Sequence, residues 1–441
     1  MKRYLFFLRH FNDIDNIAPA IYFYLQDNVD NRADVILYHE GYDYAQDLNL
    51  KFLKTKFPTR FSFNGIEKYF DLSGDRAKKK MNKNLEITLY NIIKNHLPES
   101  LKLQIKALLK AITKNRYSLT LSAIRARPSP DDVVVAGIKK ILNEYNFPSL
   151  VIFDFVRTRV VLGLLTALRQ SGVKKIISLP TSPFINYNIM RSNFLTDENS
   201  ASFIGMHDYS GFDAAGLVDR YYEMSYHDFF GLLNWPAKLP KRTYKLGAIR
   251  YCPEWLDIKK KMKGESVNFG QKEKKNILFL LSHPMSNVNK EEVTITIEIL
   301  ARFSEYNVCI MGHTRDHTKQ FQLQYSNIKF VDECSTSKLI DWSDAILFWS
   351  TSAAMEGYMK DKFMVCLRYI TSNRNLYSEF DAGYVAKCRD DLMRFLLLFH
   401  RKERIPYNNK GKNHFIHKII LADDLNISVP KKYLQFMRDF E

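Results

Sequence analysis

Cysteine is scarce in this chain: five residues in 441, scattered, with no two at CxxC spacing. That argues against a structural zinc and points to a reduced, cytoplasmic protein. Long apolar runs are missing too, since none approaches the ~20 residues a bilayer span needs. The opening Met1-Lys2-Arg3-Tyr4-Leu5-Phe6-Phe7-Leu8 resembles the start of a signal peptide. It stops at Arg9-His10 without a small-residue cleavage site, so it reads as a first β-strand. No C2H2, RNP or Walker signature is present, which leaves a nucleic-acid partner without motif support. Internal repeats and low-complexity tracts are absent as well.

What the chain does have is length, apolar content and positive charge. At 441 residues it exceeds what one hydrophobic core usually serves, so two domains are expected, and 46% hydrophobic residues support globular folding. Lys and Arg number 65 against 48 Asp and Glu, a net +17. Such a balance suits anionic partners, among them phosphorylated substrates or an anionic membrane surface. Joint abundance of Lys, Asn, Ile, Tyr and Phe offers compositional bias as an equally weighted source of the same charge.

Strand-sized apolar runs alternate with helical stretches, which predicts parallel sheets. A strand at Tyr4–Leu8 leads into a loop over Arg9–Asp15, a helix from about Ile17 to Leu25, and a strand at Asp34–Tyr38. From about 51 to 130 the rhythm breaks into a basic, helical insertion with Arg76-Ala77-Lys78-Lys79-Lys80 and the amphipathic run from Leu101 to Lys110. That run suits a solvated helix face packed on the domain, or a membrane-surface helix. Alternation resumes at Ser149–Phe155, with a helix through Leu168 and a strand at Lys175–Leu179. The expected organisation is an N-terminal Rossmann-like domain over 1–245, a linker over 246–274, a second Rossmann-like domain over 275–420 and a closing helix in 421–441. Later strands are read at Asn276–Leu281, Asn307–Met311, Ile328–Val331, Ala345–Trp349 and Phe363–Leu367.

Ligands of doubly wound domains bind outside the carboxyl ends of the strands. The residues there are Asp13, His39 and Glu40, Asp154, Thr181 and Ser182, His283, His313 and Ser350. The richest segment is Ser350-Thr351-Ser352-Ala353-Ala354-Met355-Glu356, between the last two of those strands. Its hydroxyls can cap a short helix whose free N–H groups would hold an anion. Glu356, read as nearly two turns into that helix, can then reach the sugar of a nucleotide, or stand as a plain surface residue. Asp13 is the leading base, with Asp154 and Glu40 behind it; capping the following helix serves Asp13 equally well.

These residues carry a resemblance. The C-terminal half resembles the nucleotide-binding domain of GT-B fold enzymes, in particular the UDP-N-acetylglucosamine 2-epimerase family. That family's Ser-Gly-Gly-x-x-x-Glu pattern, followed by Gly-Lys-Pro, a strand and Arg, falls here without a gap. Ser350 takes the Ser, Thr351 and Ser352 the two Gly, Glu356 the Glu and Arg368 the Arg, with Asp361-Lys362-Phe363 replacing Gly-Lys-Pro and Thr371 on a following Thr. Ser282-His283-Pro284-Met285-Ser286-Asn287 sits where the family has Gly-His-Arg-Arg-Glu-Asn. Gly312-His313-Thr314-Arg315 sits at a His-Pro-Asn-Pro loop, and Ile14 to Pro19 resembles an N-terminal Ile-Lys-x-Ala-Pro motif. The resemblance implies two Rossmann-like domains facing a central cleft, with Ser350, Thr351, Ser352, Glu356, Arg368 and His313 on the nucleotide-sugar and His283 beside the transferred group. Phe330-Val331-Asp332 would lie by the base.

The departures select among reactions. Both loop glycines and the Arg-Arg-Glu of the His loop are replaced, and an epimerase needs paired acid and base groups to move a proton at carbon. What remains is group transfer, with Asp13 and His283 as catalytic candidates. The expected function is a metal-independent glycosyltransferase of bacterial surface polysaccharide (capsule or lipopolysaccharide) assembly. It would carry sugar from a nucleotide-sugar to a glycan or lipid-linked acceptor, in the cytoplasm or on the inner membrane face. No cofactor, metal or nucleic acid is expected. The alternatives are a CDP-polyol phosphotransferase of the teichoic-acid type and a non-catalytic GT-B-like binding protein.

Overall fold

The computed structural model describes residues 2–9, 11–38, 43–70, 132–154, 159–180, 186–187, 204–207, 243–262, 269–282, 288–312, 325–331 and 334–440. Most of the expected insertion, from 71 to 130, lies outside them.

The first sheet is built from β1 (Arg3–Leu8), β2 (Arg32–Leu37), β3 (Phe61–Gly65), β4 (Leu150–Asp154), β5 (Ile176–Leu179), β7 (Ile204–His207) and β8 (Thr243–Lys245). Its order is β3-β2-β1-β4-β5-β7-β8, parallel through β5 and antiparallel at the last two pairings. Side chains alternate across it: Tyr4, Phe6 and Leu8 of β1 enter one core, Leu5 and Phe7 the opposite one. Burial on both faces is what a parallel sheet between helix layers demands, and it explains the near-continuous apolar run. One layer holds α1 (Phe11–Asp27) and α2 (Leu48–Lys56), the other α3 (Asp132–Glu144) and α4 (Arg159–Gln170).

The second sheet contains β9 (Lys275–Leu280), β10 (Tyr306–Met311), β11 (Ile328–Val331), β12 (Ala345–Phe348), β13 (Phe363–Leu367) and β15 (Tyr384–Ala386), in the order β11-β10-β9-β12-β13-β15 and parallel throughout. Leu278, Leu280, Ile346 and Phe348 face one core; Ile277, Phe279, Ala345 and Leu347 face the other. Both sheets thus show the doubly wound pattern expected of the chain.

Two of the expected elements differ. Residues 51–70 are not wholly helical: Phe61–Gly65 pairs with β2 as the edge strand, its burial masked in the sequence by basic neighbours. The helix expected from about Ile17 begins at Phe11, so Arg9–Asp15 is largely helix rather than loop. Pro19 lies inside α1, and on the turn before it Asn16 Nδ2 donates to Asn12 O at 2.6 Å.

The segment between the sheets is structured. It contains a 3₁₀ turn at Ile249–Tyr251 and α5 (Pro253–Met262), and it is shared by both lobes. Ile249, Cys252 and Trp255 enter the first lobe's core, Ala248 and Tyr251 the second's. Beyond the second sheet, α6 (Lys290–Arg302), α7 (Thr336–Trp342), α8 (Ala354–Met359), α9 (Leu376–Glu379), α10 (Arg389–Arg401) and α11 (Asn409–Phe415) clothe its faces. The last helix, α12 (Val429–Arg438), returns to the first lobe and packs on α1 through Val429, Tyr433, Phe436 and Met437. A two-residue antiparallel ladder joins β6 (Asn186–Tyr187), which follows β5, to β14 (Arg374–Asn375), which follows β13. The carboxyl ends of the two sheets therefore face each other across a cleft.

Candidate functional site

In the second sheet the chain runs outward from β9 to β11, then crosses back to lay β12 on the other side of β9. Loops leaving β9 and β12 diverge, and that divergence opens a crevice at their carboxyl ends. Two serines line it. Ser282 follows β9, and its Oγ accepts a hydrogen bond from the Ser350 backbone N–H at 3.1 Å. Ser350 is itself buried, and its Oγ has no hydrogen-bond partner among the described residues. A buried hydroxyl without a partner costs about 1–3 kcal/mol unless a water or ligand supplies one.

The hydroxyl-rich turn is ordered by its own side chains. Thr351 Oγ1 accepts from Ala353 N–H at 3.3 Å, and Thr351 O accepts from the Tyr377 hydroxyl at 2.7 Å. The Ser352 hydroxyl approaches the Tyr251 phenol, whose pKa is raised by burial. Capping of the helix by a hydroxyl, expected from sequence, does not occur. The capping position of α8 falls on Ala353, which has no side-chain oxygen, because Thr351 closes its turn one step too early. For the same reason Glu356 stands in the first turn of α8, not nearly two turns along.

Glu356 is 3% exposed and well occupied. Lys259 Nζ from α5 lies at 3.1 Å and Lys360 Nζ at 2.7 Å, and the Ser337 hydroxyl at the start of α7 donates to it. A ribose would share this carboxylate with two ammonium groups and a serine. Arg368 is half-buried and donates to Thr371 O at 2.5 Å, so its guanidinium braces its own loop.

On the facing side, Asp13 is fully buried in the first turn of α1, with Arg9 Nε at 3.4 Å. The early start of α1 places Asp13 within that helix rather than in the expected loop. Asp15, two residues on and therefore about 200° round the helix, points elsewhere. It is partly exposed, takes Arg250 Nη2 at 2.9 Å and accepts from Asn49 Nδ2 at 2.6 Å. The pair spells Asp-x-Asp, yet the helix sends its carboxylates to different partners. Arg250, from the inter-lobe segment, is held in its charged form: burial works against the charge, but Asp15, Tyr251 and Glu356 together outweigh it.

Ser350, Thr351, Ser352 and Glu356 thus share one loop and short helix, and Arg368 stands at the end of the adjacent strand. Asp13 belongs to α1 of the first lobe. His283, His313, His39, Glu40, Thr181, Ser182 and Asp332, and the side chain of Asp154, lie outside the described residues. Sequence reasoning met Ser282 and Asp15 only as members of matched motifs, and passed over Arg250, Tyr251 and Lys259. The one available signal was the inter-lobe position of the last three, since polar residues there must face either a lobe or the cleft.

No family model matches the chain, and no curated protein sequence matches it. Solved structures do. A UDP-N-acetylglucosamine 2-epimerase from Rickettsia bellii superposes with a TM-score of 0.50 at 13% identity, over 100% of this chain and 96% of its own. The Neisseria meningitidis UDP-GlcNAc 2-epimerase, solved with UDP-GlcNAc, gives 0.49 at 12% identity over 99% and 98%. CalG4, the calicheamicin glycosyltransferase, gives 0.43 at 11% over 100% and 95%. At such identities the likeness is one of architecture: with its two doubly wound sheets, the chain has the two-domain GT-B fold.

Proposed function

We propose that this protein is a glycosyltransferase that moves a sugar from a nucleotide-sugar to a glycan or lipid-linked acceptor in bacterial surface-polysaccharide assembly, without a metal or cofactor. The observation that carries the reading is the buried Ser350 hydroxyl in the crevice between the β9 and β12 loops, which has no hydrogen-bond partner among the described residues. It is the polar group a donor phosphate would satisfy there. In transfer, the bond from the anomeric carbon to the nucleotide's phosphate oxygen breaks and a bond to the acceptor oxygen forms. Negative charge grows on the leaving phosphate, where hydroxyls and N–H groups of Ser350, Thr351 and Ser352, with Arg368, would stabilise it. With Asp13 enclosed, the acceptor's proton passes to a phosphate oxygen of the donor. His283 and His313 would contact the donor, and Glu356 its ribose.

An epimerase reading gains support from the names of the structural neighbours, but the Arg-Arg-Glu that the resemblance requires is Pro284-Met285-Ser286 here. The proposed workplace is the cytoplasmic side of the membrane, on the strength of the +17 charge. Sugar-nucleotide turnover tests the reading: Ser350→Ala is expected to remove it, and full transfer in both Ser350→Ala and Glu356→Ala would discard the site. Burial of Asp13 favours one further reading, nucleotide binding without turnover. Saturable binding with no product from any donor would establish it, and a preference for CDP-linked donors would move the assignment to polyol-phosphate transfer.

A further inference from the structure

A second concavity lies at the opposite end of the first lobe, at the amino ends of β1, β2 and β3. It is a cavity of about 210 Å³ lined by Arg3, Arg32, Asp34, Lys54, Arg60, Ser62 and Glu144, among others. That volume is below the roughly 300–1,000 Å³ of pockets for drug-sized molecules and suits a small group. Its charge does not cancel. Arg3 Nε is paired with Asp34 Oδ2 at 3.1 Å, and Ser62 Oγ donates to the other Asp34 oxygen at 2.6 Å. Glu144 is taken by Lys68 at 2.6 Å. Three cations are left: Arg32, Lys54 and Arg60.

Lys54 and Arg60 are aimed by backbone. Lys54 Nζ donates to Pro58 O and Phe61 O at 2.8 and 3.0 Å, and Arg60 Nη1 to Leu25 O and Asn28 O at 2.8 and 3.0 Å. Arg60 thereby closes the carboxyl end of α1, a favourable place for a cation. Those bonds use N–H groups and bring no carboxylate to either charge, though the Arg60 guanidinium also lies over the Phe57 ring at 5.0 Å. Arg32 differs: it makes no hydrogen bond or contact ion pair among the described residues; β2 holds it beside Arg3 in register, and its charge acts on the Asp34 carboxylate from a longer distance. Three like charges around one hollow repel one another, and a bound anion would turn that repulsion into attraction.

We propose that this hollow is a phosphate-binding site, separate from the cleft, in which Arg32 makes the bidentate contact and Lys54 and Arg60 supply the surrounding charge. A phosphate group can arrive free, on a soluble metabolite, or as the headgroup of an anionic lipid, and the chemistry of the hollow is the same for each.

The test is calorimetric titration of the full-length protein with inorganic phosphate, in Ser350→Ala so that the cleft does not contribute. Saturable binding is expected, weakened by about tenfold or more in Ser350→Ala/Arg32→Gln and restored in part by Arg32→Lys. Each variant's melting temperature, unchanged from its parent, separates lost binding from lost folding. In a second arm, vesicles of phosphatidylcholine with or without phosphatidic acid are sedimented with the protein. Retention that requires phosphatidic acid and falls in Arg32→Gln assigns the site to a lipid headgroup, and free phosphate binding without such retention assigns it to a soluble ligand. Absence of saturable phosphate binding, or equal affinity with and without Arg32→Gln, overturns the proposal.

Discussion

Gly247 adopts φ +81, a left-handed conformation, where the inter-lobe segment leaves β8. A Cβ there would lie 2.6 Å from Ile420 O, against the backbone that also accepts from Ala248 N–H at 2.7 Å. Gly247→Ala is therefore expected to destabilise the protein by about 1–3 kcal/mol in denaturant unfolding, through both the strained φ and the collision. Glu356 shows how far one residue's role is readable from its letter. Its spacing from Ser350 was legible; its partner Lys259 was not, because Lys259 is 97 residues away in sequence. Glu356→Ala is expected to cost about 1–3 kcal/mol of stability, since it removes the carboxylate from Lys259 and the Ser337 hydroxyl while Lys360 keeps Asp341. Asp13 shows the same limit: its place beside the end of β1 was legible, its burial within α1 was not.

Among elements, the strands were the most legible, because burial on both faces writes a contiguous apolar run and a parallel sheet tolerates little else. Edge strand β3 escaped notice with its BiiiB burial, since a half-covered strand need not be apolar throughout. The joint between α6 and α10 was also invisible in sequence. Arg389 Nε and Nη2 grip Glu292 at 2.8 and 2.6 Å, and this hydrogen-bonded pairing pulls the Glu292 carboxyl below its ordinary value. A depressed carboxyl stabilises the fold above its unfolded pKa of about 4.3, and that contribution fades as pH falls through the lower folded value. Arg389→Ala is expected to lower stability only slightly at neutral pH and not at all below that window. Urea midpoints across the acid range check the sign.

For the whole molecule, the two lobes share the inter-lobe segment, the β6–β14 ladder and the returning α12. The Tyr433 hydroxyl donates to Gly247 O at 2.9 Å, so the tail helix fastens to the stretch that connects the lobes. Phe436→Ala, a cavity in the core under α1, is expected to cost about 3–5 kcal/mol. In limited proteolysis the first lobe should then become the more sensitive half. Chain reversal of this kind was foreseeable only as a closing helix; which lobe it closes is decided by contacts between residues some 400 positions apart, such as Arg438 with Asp27.

The central claim is a nucleotide diphosphate against Ser350, and a thermal-shift panel of UDP, GDP, CDP and CMP with their sugars tests it most directly. One base family is expected to raise the melting temperature, by an amount equivalent to roughly 2.7 kcal/mol at a hundred times its dissociation constant, and the rise should vanish in Ser350→Ala. No shift with any nucleotide, or a shift of undiminished size in Ser350→Ala, would contradict it.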